Sequence, residues 1–398
     1  MVGRKIPINI PTISIIIPKV NIMKRNIVDL FSGAGGLSYG FRQAGFNIVA
    51  GIDKEEEFIE SFSQMHEDSE AIVADLGKNN VKELLNDRGI KKDDVDIIVG
   101  GPPCKGFSTV GDREKSDDRN KLVIKFADAL NELEPAAFVM ENVTGLKSME
   151  DEDGNLVIDE LEDIFEEYGY RIKYKVLEAT SYGVPQKRKR LFIVGMKTDI
   201  DDFSWPKPTH IPKDSLEKYS DSKKDFYVTV DEAISDLPNL EAGEQAREYG
   251  DDAATEYQEE MRDGKESVLN HETPNHSEKI IERLSHVPQG GNHKDLPEEF
   301  QLSGGYSNIY GRLDPDKPAD TITANFGCVS APGKFIPPYN DRALTVREGA
   351  RLQSFPDHYK FFGNQNQQYK QVGHAVPPLL AKSVGEQLKK TLNKKKGD

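Results

Sequence analysis

Cysteine is nearly absent. There are two, Cys104 and Cys328, 224 positions apart, and no Cys-x-x-Cys. A disulfide framework, a zinc ribbon and an iron–sulfur cluster therefore have no support, and each thiol stands alone. A long apolar run is missing too. The isoleucine-rich stretch from Ile6 to Val20 is broken by Pro7, Pro11 and Pro18 and is too short for a membrane span of about 20 residues. No small-residue cleavage site follows it, which argues against a secretory signal. Positive charge is in deficit: 52 Lys and Arg face 68 Asp and Glu, a net charge of −16. A wholly basic nucleic-acid coat is excluded, whereas a local basic groove is not, because binding uses one face. With 33 Gly and 22 Pro among 398 residues, the chain is neither collagen-like nor low-complexity.

What is present is a globular composition, 36% hydrophobic and 30% charged, with length for two or three domains. Residues 1–22 read as an extension, because Met23 opens Met-Lys-Arg-Asn-Ile-Val-Asp-Leu-Phe, a natural first strand. Strand and helix signals then alternate. Strands are predicted at Asn26–Phe31, Phe46–Ile52, Ala71–Ala74, Val95–Val99, Ala136–Met140, Ile172–Leu177 and Leu191–Gly195. Helices are predicted at Gly36–Gly45, Glu55–Met65, Val81–Asn86, Leu122–Leu133 and Leu161–Tyr168. That order implies βαβ units and a mostly parallel α/β sheet covered on both faces, with ligands bound beyond the strands' carboxyl ends. From about residue 201 to 335 the chain turns irregular, rich in Pro, Gly, Asn, Asp and His. Regular signals return at Thr345–Leu352 and in an amphipathic helix, Val376–Leu392. The acidic stretches Glu55–Glu70 and Glu150–Glu167 and the lysine-rich tail read as solvated faces.

The chemistry-bearing motifs fall at strand ends. Asp29-Leu30-Phe31-Ser32-Gly33-Ala34-Gly35-Gly36 follows the first strand and opens a helix. Its glycines allow a tight turn and close approach of a ligand to backbone. Asp53 and Asp75 end the next two strands, where a carboxylate can accept from ribose hydroxyls. Together with the glycine loop they suggest a nucleoside-type cofactor. Gly100-Gly101-Pro102-Pro103-Cys104-Lys105-Gly106-Phe107-Ser108 displays a cysteine just past a strand, between rigid prolines and flexible glycines. A nearby cation would favour its thiolate, the reactive nucleophile. Cys328 reads as structural. Met140-Glu141-Asn142-Val143 puts a carboxylate at the end of an apolar strand, costly unless paired or used. In Gln186-Lys187-Arg188-Lys189-Arg190, alternation sends Arg188 and Arg190 to one face and the lysines to the other.

In order and spacing these motifs resemble the DNA (cytosine-5) methyltransferases. So do Arg342-Ala343-Leu344-Thr345-Val346-Arg347-Glu348-Gly349-Ala350-Arg351-Leu352-Gln353-Ser354-Phe355-Pro356 and Gly373-His374-Ala375-Val376-Pro377-Pro378. The resemblance covers about residues 25–390. It implies a Rossmann-like methyltransferase sheet in two pieces, 23–200 and 340–398, with a smaller target-recognition domain inserted at 201–339. It implies S-adenosylmethionine, seated on Phe31, Ser32, Gly33, Ala34, Gly35, Gly36 and Leu37. The ribose would lie near Asp53 and Lys54 and the adenine near Asp75 and Leu76, with Pro103, Leu122, His374 and Ala375 completing the pocket. The family's residues would fall on Cys104 as nucleophile at cytosine C6 and Glu141 at N3 and the exocyclic amine. Arg188 would hold the base carbonyl oxygen, and Arg190 would orient the glutamate or bind phosphate. Thr321-Ile322 resembles the family's Thr-(Leu/Ile/Val) pair beside the flipped base.

DNA contacts are expected from Lys105, Ser108, Arg188, Arg190, Arg312, Thr321, Ile322 and Arg342. Binding to such a phosphate-lined cleft should fall steeply with salt. Two positions depart from the family pattern: Lys105 stands where Gln commonly follows Pro-Pro-Cys, and His374 where Asn commonly follows Gly. Metal-ligand spacing is absent, so no metal is expected. The expected setting is a cytoplasmic, nucleoid-associated monomer acting on double-stranded DNA in a restriction–modification system, with a cognate endonuclease at the same site. A tRNA cytosine-5 methyltransferase is the closest rival enzyme. A non-catalytic DNA-binding regulator is the rival from another class, opposed by intact Cys104, Glu141 and Arg188. A nicotinamide-dependent oxidoreductase shares the sheet type but not the glycine spacing.

Overall fold

The structure is a computed structural model that describes residues 24–103, 120–150, 154–218, 224–301, 310–328 and 335–394. The expected N-terminal extension and Cys104, Lys105 and Ser108 lie outside the described residues. The chain runs β1 (Asn26–Leu30), α1 (Gly36–Gln43), β2 (Asn47–Asp53), α2 (Glu56–Met65), β3 (Glu70–Val73), α3 (Val81–Asn86), β4 (Ile97–Gly100), α4 (Asn120–Leu133), β5 (Ala137–Asn142), α5 (Val157–Glu167), β6 (Tyr170–Glu178) and β7 (Lys189–Lys197). These seven strands form one sheet in the order β3-β2-β1-β4-β5-β7-β6. β7 pairs antiparallel with both β5 and β6, and the remaining pairings are parallel. The chain builds outward from β1 to β3, then crosses back to start β4 on the other side of β1. That reversal opens a crevice at the carboxyl ends of β1 and β4, where such sheets bind ligands.

Strands buried on both faces need apolar side chains on both. Asn-Ile-Val-Asp-Leu, Ile-Ile-Val-Gly and Ala-Phe-Val-Met-Glu-Asn supply them in β1, β4 and β5. The alternate residues feed two cores. One face carries Ile27, Ile97, Val99, Val139 and Phe192 against α1 and the C-terminal helix. The other carries Val28, Ile98, Phe138 and Met140 against α4 and α5.

Beyond β7 the elements shorten: β8 (His210–Ile211), β9 (Asp225–Phe226), α6 (Val230–Ile234), α7 (Glu256–Arg262) and α8 (Glu278–Ser285). Capping side chains start two of them, Thr229 on Glu232 N–H and Thr255 on Gln258 N–H. The return comprises α9 (Val346–Leu352), α10 (Gln365–His374) and α11 (Pro378–Asn393). A third apolar cluster joins both parts: Val230, Ala233, Tyr257, Ile322 and Phe326 pack with Val346, Ala350, Phe355, Tyr359 and Val372. Hence the inserted stretch shares a core with the returning segment. Among the described residues no helix is long and apolar enough to cross a membrane.

Candidate active site

The glycine-rich loop turns between β1 and α1. Phe31, Gly33 and Gly35 all have positive φ, 59°, 55° and 93°. The Gly33 N–H donates to Asp53 Oδ2 at 2.9 Å, and Glu55 N–H donates to Asp53 Oδ1 at 3.1 Å. Asp53 thus ties the loop to the end of β2, and each oxygen keeps a lone pair for a further donor. Burial pushes its carboxyl up, opposed by those two N–H groups. Gly36 must be glycine: a Cβ there would stand 2.5 Å from the Val376 carbonyl oxygen. Ala34 and Leu37 are buried beside it. At the end of β3, Asp75 accepts from Gly77 N–H at 2.9 Å and pairs with Lys78 at 3.1 Å, which hold its carboxyl below the usual range. Leu76 is buried, and Leu122 lies close over Gly77. Lys54 is exposed and pairs loosely with Glu55. Pro103 is exposed at the end of the described β4 loop.

The loop suits a polar ligand. No atom lies within 4 Å of where a Gly33 Cβ would be. Ser32 Oγ and Asp29 Oδ1 are buried without a hydrogen-bond partner among the described residues. Asp29 was quoted in the motif but given no role from sequence. Its other oxygen accepts from Ser38 Oγ, and burial pushes its carboxyl up to about 7. A carboxylate inside an otherwise apolar buried strand was the signal for it.

The neighbouring strand ends carry the second half. Glu141, at the end of β5, receives Arg190 Nε at 2.9 Å, and both side chains are largely buried. Burial raises the Glu141 carboxyl, while Arg190 and Arg188 pull it down; the net direction is up. Gly101 is close to its other oxygen, so the glutamate faces the loop that leads to Cys104. Asn142 Nδ2 holds the Pro102 carbonyl at 3.1 Å, fixing that loop to β5. Arg190 spends Nη1 on the Lys189 carbonyl at 2.8 Å, and its Nη2 bonds to no described residue.

The expected alternation is present: Arg188 is buried, and Lys187 and Lys189 are exposed. Arg188 is held mainly by backbone. Its Nη1 donates to Ile322 O at 2.9 Å and its Nη2 to Gly373 O and Ala375 O at 3.0 and 2.9 Å. Its Nε is buried and without a partner among the described residues. Both terminal nitrogens of the guanidinium thus face backbone carbonyls. Arg312 and Arg342, expected on DNA phosphate, are instead spent on internal partners. Arg312 uses all five donor directions on Val287, Pro337, Asn340 and Leu284 carbonyls and Asp341. Arg342 is buried and bidentate on Glu348. Neither has a donor facing solvent, because each ties loops together.

Thr321 Oγ1 donates to Lys187 O at 2.7 Å, and Ile322 is fully buried. His374 is exposed at the end of α10, followed by half-buried Ala375. Cys328 is half-buried. Sequence reasoning missed Gln186, Gln353 and Tyr359. Tyr359 is fully buried and donates its hydroxyl to the Ala34 carbonyl, from 325 positions away. Among the described residues no group of His, Cys, Asp and Glu could hold a metal ion.

A mixed seven-stranded sheet reversed at β1/β4, with a glycine loop and acidic strand ends on one edge, fits the S-adenosylmethionine-dependent methyltransferase class. Solved structures agree. A chain described as a prophage-encoded DNA modification methyltransferase (E. coli) superposes at a TM-score of 0.72 and 26% identity, over 93% of this chain and all of that one. The S. pombe Dnmt2 methyltransferase shares the fold, at 0.60 and 14% identity over 93% of this chain and all of that one. The family model for C-5 cytosine-specific DNA methylase matches residues 25–390, and the chain belongs to that family. Among curated relatives, type II methyltransferase M.DdeI of Desulfomicrobium norvegicum is 36% identical, over 91% of this chain and 88% of its own. M1.HphI of Haemophilus parahaemolyticus is 36% identical, over 92% and 86%. The enzyme is a DNA (cytosine-5) methyltransferase.

Proposed function

We propose that the enzyme methylates C5 of a cytosine flipped out of a specific duplex sequence, through a covalent adduct with Cys104. The carrying observation is the buried Glu141–Arg190 pair at 2.9 Å, at the strand end next to the loop leading to Cys104. C5 of cytosine is a poor nucleophile while the ring is aromatic and stacked. Extruding the base costs a few kcal/mol. The Cys104 thiolate adds to C6, and the electron pair moves toward N3. Glu141, its carboxyl raised by burial, gives or shares a proton at N3 and accepts from the exocyclic amine. Arg190 keeps that carboxyl aimed or reaches a phosphate with Nη2, and Arg188, whose Nε is unpartnered among the described residues, is the residue for the base oxygen. C5 is then enamine-like. C5 would then bond to the methyl carbon as the methyl–sulfonium bond breaks and leaves a neutral thioether, after which loss of the C5 proton and expulsion of Cys104 restore the ring, as nucleophilic catalysis requires.

S-adenosylmethionine, when bound, supplies an electrophilic methyl group. The residues that would hold it are Phe31 to Leu37, Asp53, Lys54, Asp75, Leu76, Pro103, Leu122, His374 and Ala375. We assign target recognition to 201–339, flanked by catalytic pieces 23–200 and 340–398, with Lys105, Ser108 and Thr321 toward DNA and the buried Ile322 supporting Thr321 from within. The type II names of the relatives support a restriction–modification role beside a cognate endonuclease. A nucleoid-associated monomer is the working form.

The test is transfer of label from S-adenosylmethionine to unmethylated duplex DNA, with tRNA in parallel, by wild type and Cys104→Ala. Label at cytosine C5 of DNA, absent with the variant, is expected, and bisulfite sequencing then gives the site. Label on tRNA alone, or transfer by the variant, overturns the reading.

A further inference from the structure

Between the catalytic sheet and the recognition stretch stands a clamp made of side chains. The Ile322 N–H donates to Gln186 Oε1 at 2.9 Å, and the Ile322 carbonyl accepts from Arg188 Nη1 at 2.9 Å. Both backbone polar groups of one residue are therefore held by two alternate side chains of a single turn. Between them, the Lys187 carbonyl accepts from Thr321 Oγ1 at 2.7 Å. The same two side chains reach the returning segment. Gln186 Nε2 donates to Leu352 O at 3.0 Å and to Gln353 Oε1 at 3.1 Å. Arg188 Nη2 takes Gly373 O and Ala375 O, and Gln353 Nε2 continues to Val372 O at 2.7 Å. Gln186, Arg188 and Gln353 are buried to within 1%. Gly373 closes the joint: a Cβ there would run into the backbone of Thr323 and Ala324.

We propose that Gln186 and Arg188 are positioning residues that set the register between the recognition stretch and the Glu141–Arg190 pair, so that reading the right DNA sequence places the target base for chemistry. The proposal rests on the function assigned above. Arg190 lies two residues beyond Arg188, just inside β7, so about 7 Å of chain separates the clamp from the reacting carboxylate's partner. Misplacement of a reacting group by about 1 Å can cost on the order of a hundredfold in rate. A clamp on backbone carries no sequence information itself. What it transmits is whether the residues around Thr321 sit where cognate DNA puts them.

Gln186→Leu removes the acceptor and both donors. Gln186→Glu keeps the acceptor for Ile322 and loses the donors. Two readouts apply: amide hydrogen exchange of a peptide spanning Ile322, and methylation of a duplex library in which each base flanking the target is varied. With Gln186→Leu, exchange at Ile322 should speed up about tenfold or more. The rate ratio of cognate over single-mismatch duplexes should fall about tenfold, while the Kd for S-adenosylmethionine stays within about twofold. Gln186→Glu should retain Ile322 protection and most of the discrimination. Unchanged exchange at Ile322 overturns the clamp, and so does an equal loss of rate on every duplex. A wild type that methylates no DNA overturns the functional reading, and exchange at Ile322 then decides the clamp alone.

Discussion

The carboxyl edge of the sheet and the junction between the inserted and returning segments are both crowded with buried polar side chains, and they use them differently. At the sheet edge, bonding capacity is left over: Asp29 Oδ1, Ser32 Oγ and Arg188 Nε are buried without partners among the described residues. At the junction two buried arginines are held by groups of the fold itself. Arg351, fully buried, takes two oxygens of Asp357, two of Asp236 and the Ala233 carbonyl. Arg347 takes the carbonyls of Leu269, Pro356 and Tyr359. Unpaired buried polar atoms are costly, so the two that cluster at the glycine loop, Asp29 Oδ1 and Ser32 Oγ, are places a ligand can complete, whereas the fully bonded Arg351 serves the architecture.

The sharpest way to break that comparison is to disable one member of the unsaturated edge. Glu141→Gln keeps the shape and removes the titratable group. Methyl transfer at saturating DNA should fall by about 10²–10⁴-fold, the usual worth of a positioned acid–base group. Cofactor affinity should stay near wild type, measured by calorimetry. A variant within about fivefold of wild type would remove Glu141 from the chemistry.

A pair of arginine substitutions then sets edge against junction. Arg351→Met leaves Asp236 and Asp357 buried with most of their compensation gone, so unfolding free energy should fall by about 3–5 kcal/mol. Arg190→Met takes one ion-pair partner from a single carboxylate, Glu141, so its stability loss should be the smaller of the two. Its activity should collapse instead. Denaturant titration and initial rates on both variants settle which arginine serves which purpose, and equal stability losses would erase the distinction.

The same contrast explains what could be read from sequence. Strands β1 to β5 were legible to within a residue or two because doubly buried strands are nearly continuous apolar runs. The antiparallel direction of β7 was not, since Leu-Phe-Ile-Val-Gly looks the same either way. Helix α10, Gln-Asn-Gln-Gln-Tyr-Lys-Gln-Val-Gly-His, was missed because its apolar content is low, although Asn364 and Gln367 form a capping box at its start. Glu141 and Asp53 were found because a carboxylate at a strand end is conspicuous. Arg312 and Arg342 were misread because charge alone does not say what a guanidinium faces. Carbonyls left over by irregular loops, 284, 287, 337 and 340 for Arg312, are created only by the fold.

Asp29 supplies a pH dependence confined to the edge. Its carboxyl rises from an ordinary value of 3.8 to about 7 on folding, so the native state holds the proton more tightly. The stability this contributes is fully present below about pH 4 and is lost as pH rises through about 7. Between pH 5 and pH 8 the wild type should therefore lose on the order of 3 kcal/mol more than Asp29→Asn, at about 1.4 kcal/mol per pH unit where the slope is steepest. Parallel slopes for the two proteins in denaturant titrations would place the proton elsewhere.

The smallest expected effect tests whether junction and edge are one machine. Tyr359 belongs to the returning segment, yet its hydroxyl holds the Ala34 carbonyl at the centre of the glycine loop, and its ring packs edge-on against Tyr39 and Phe355. Tyr359→Phe keeps the ring packing and deletes one hydrogen bond, worth about 1 kcal/mol. If that bond serves only stability, the loss appears in unfolding alone and the Kd for S-adenosylmethionine is unmoved. If the return segment sets the cradle, the Kd should rise about threefold to tenfold while the maximal rate at saturating cofactor is preserved. The split between Kd and kcat thus decides whether the saturated region reaches into the edge it supports.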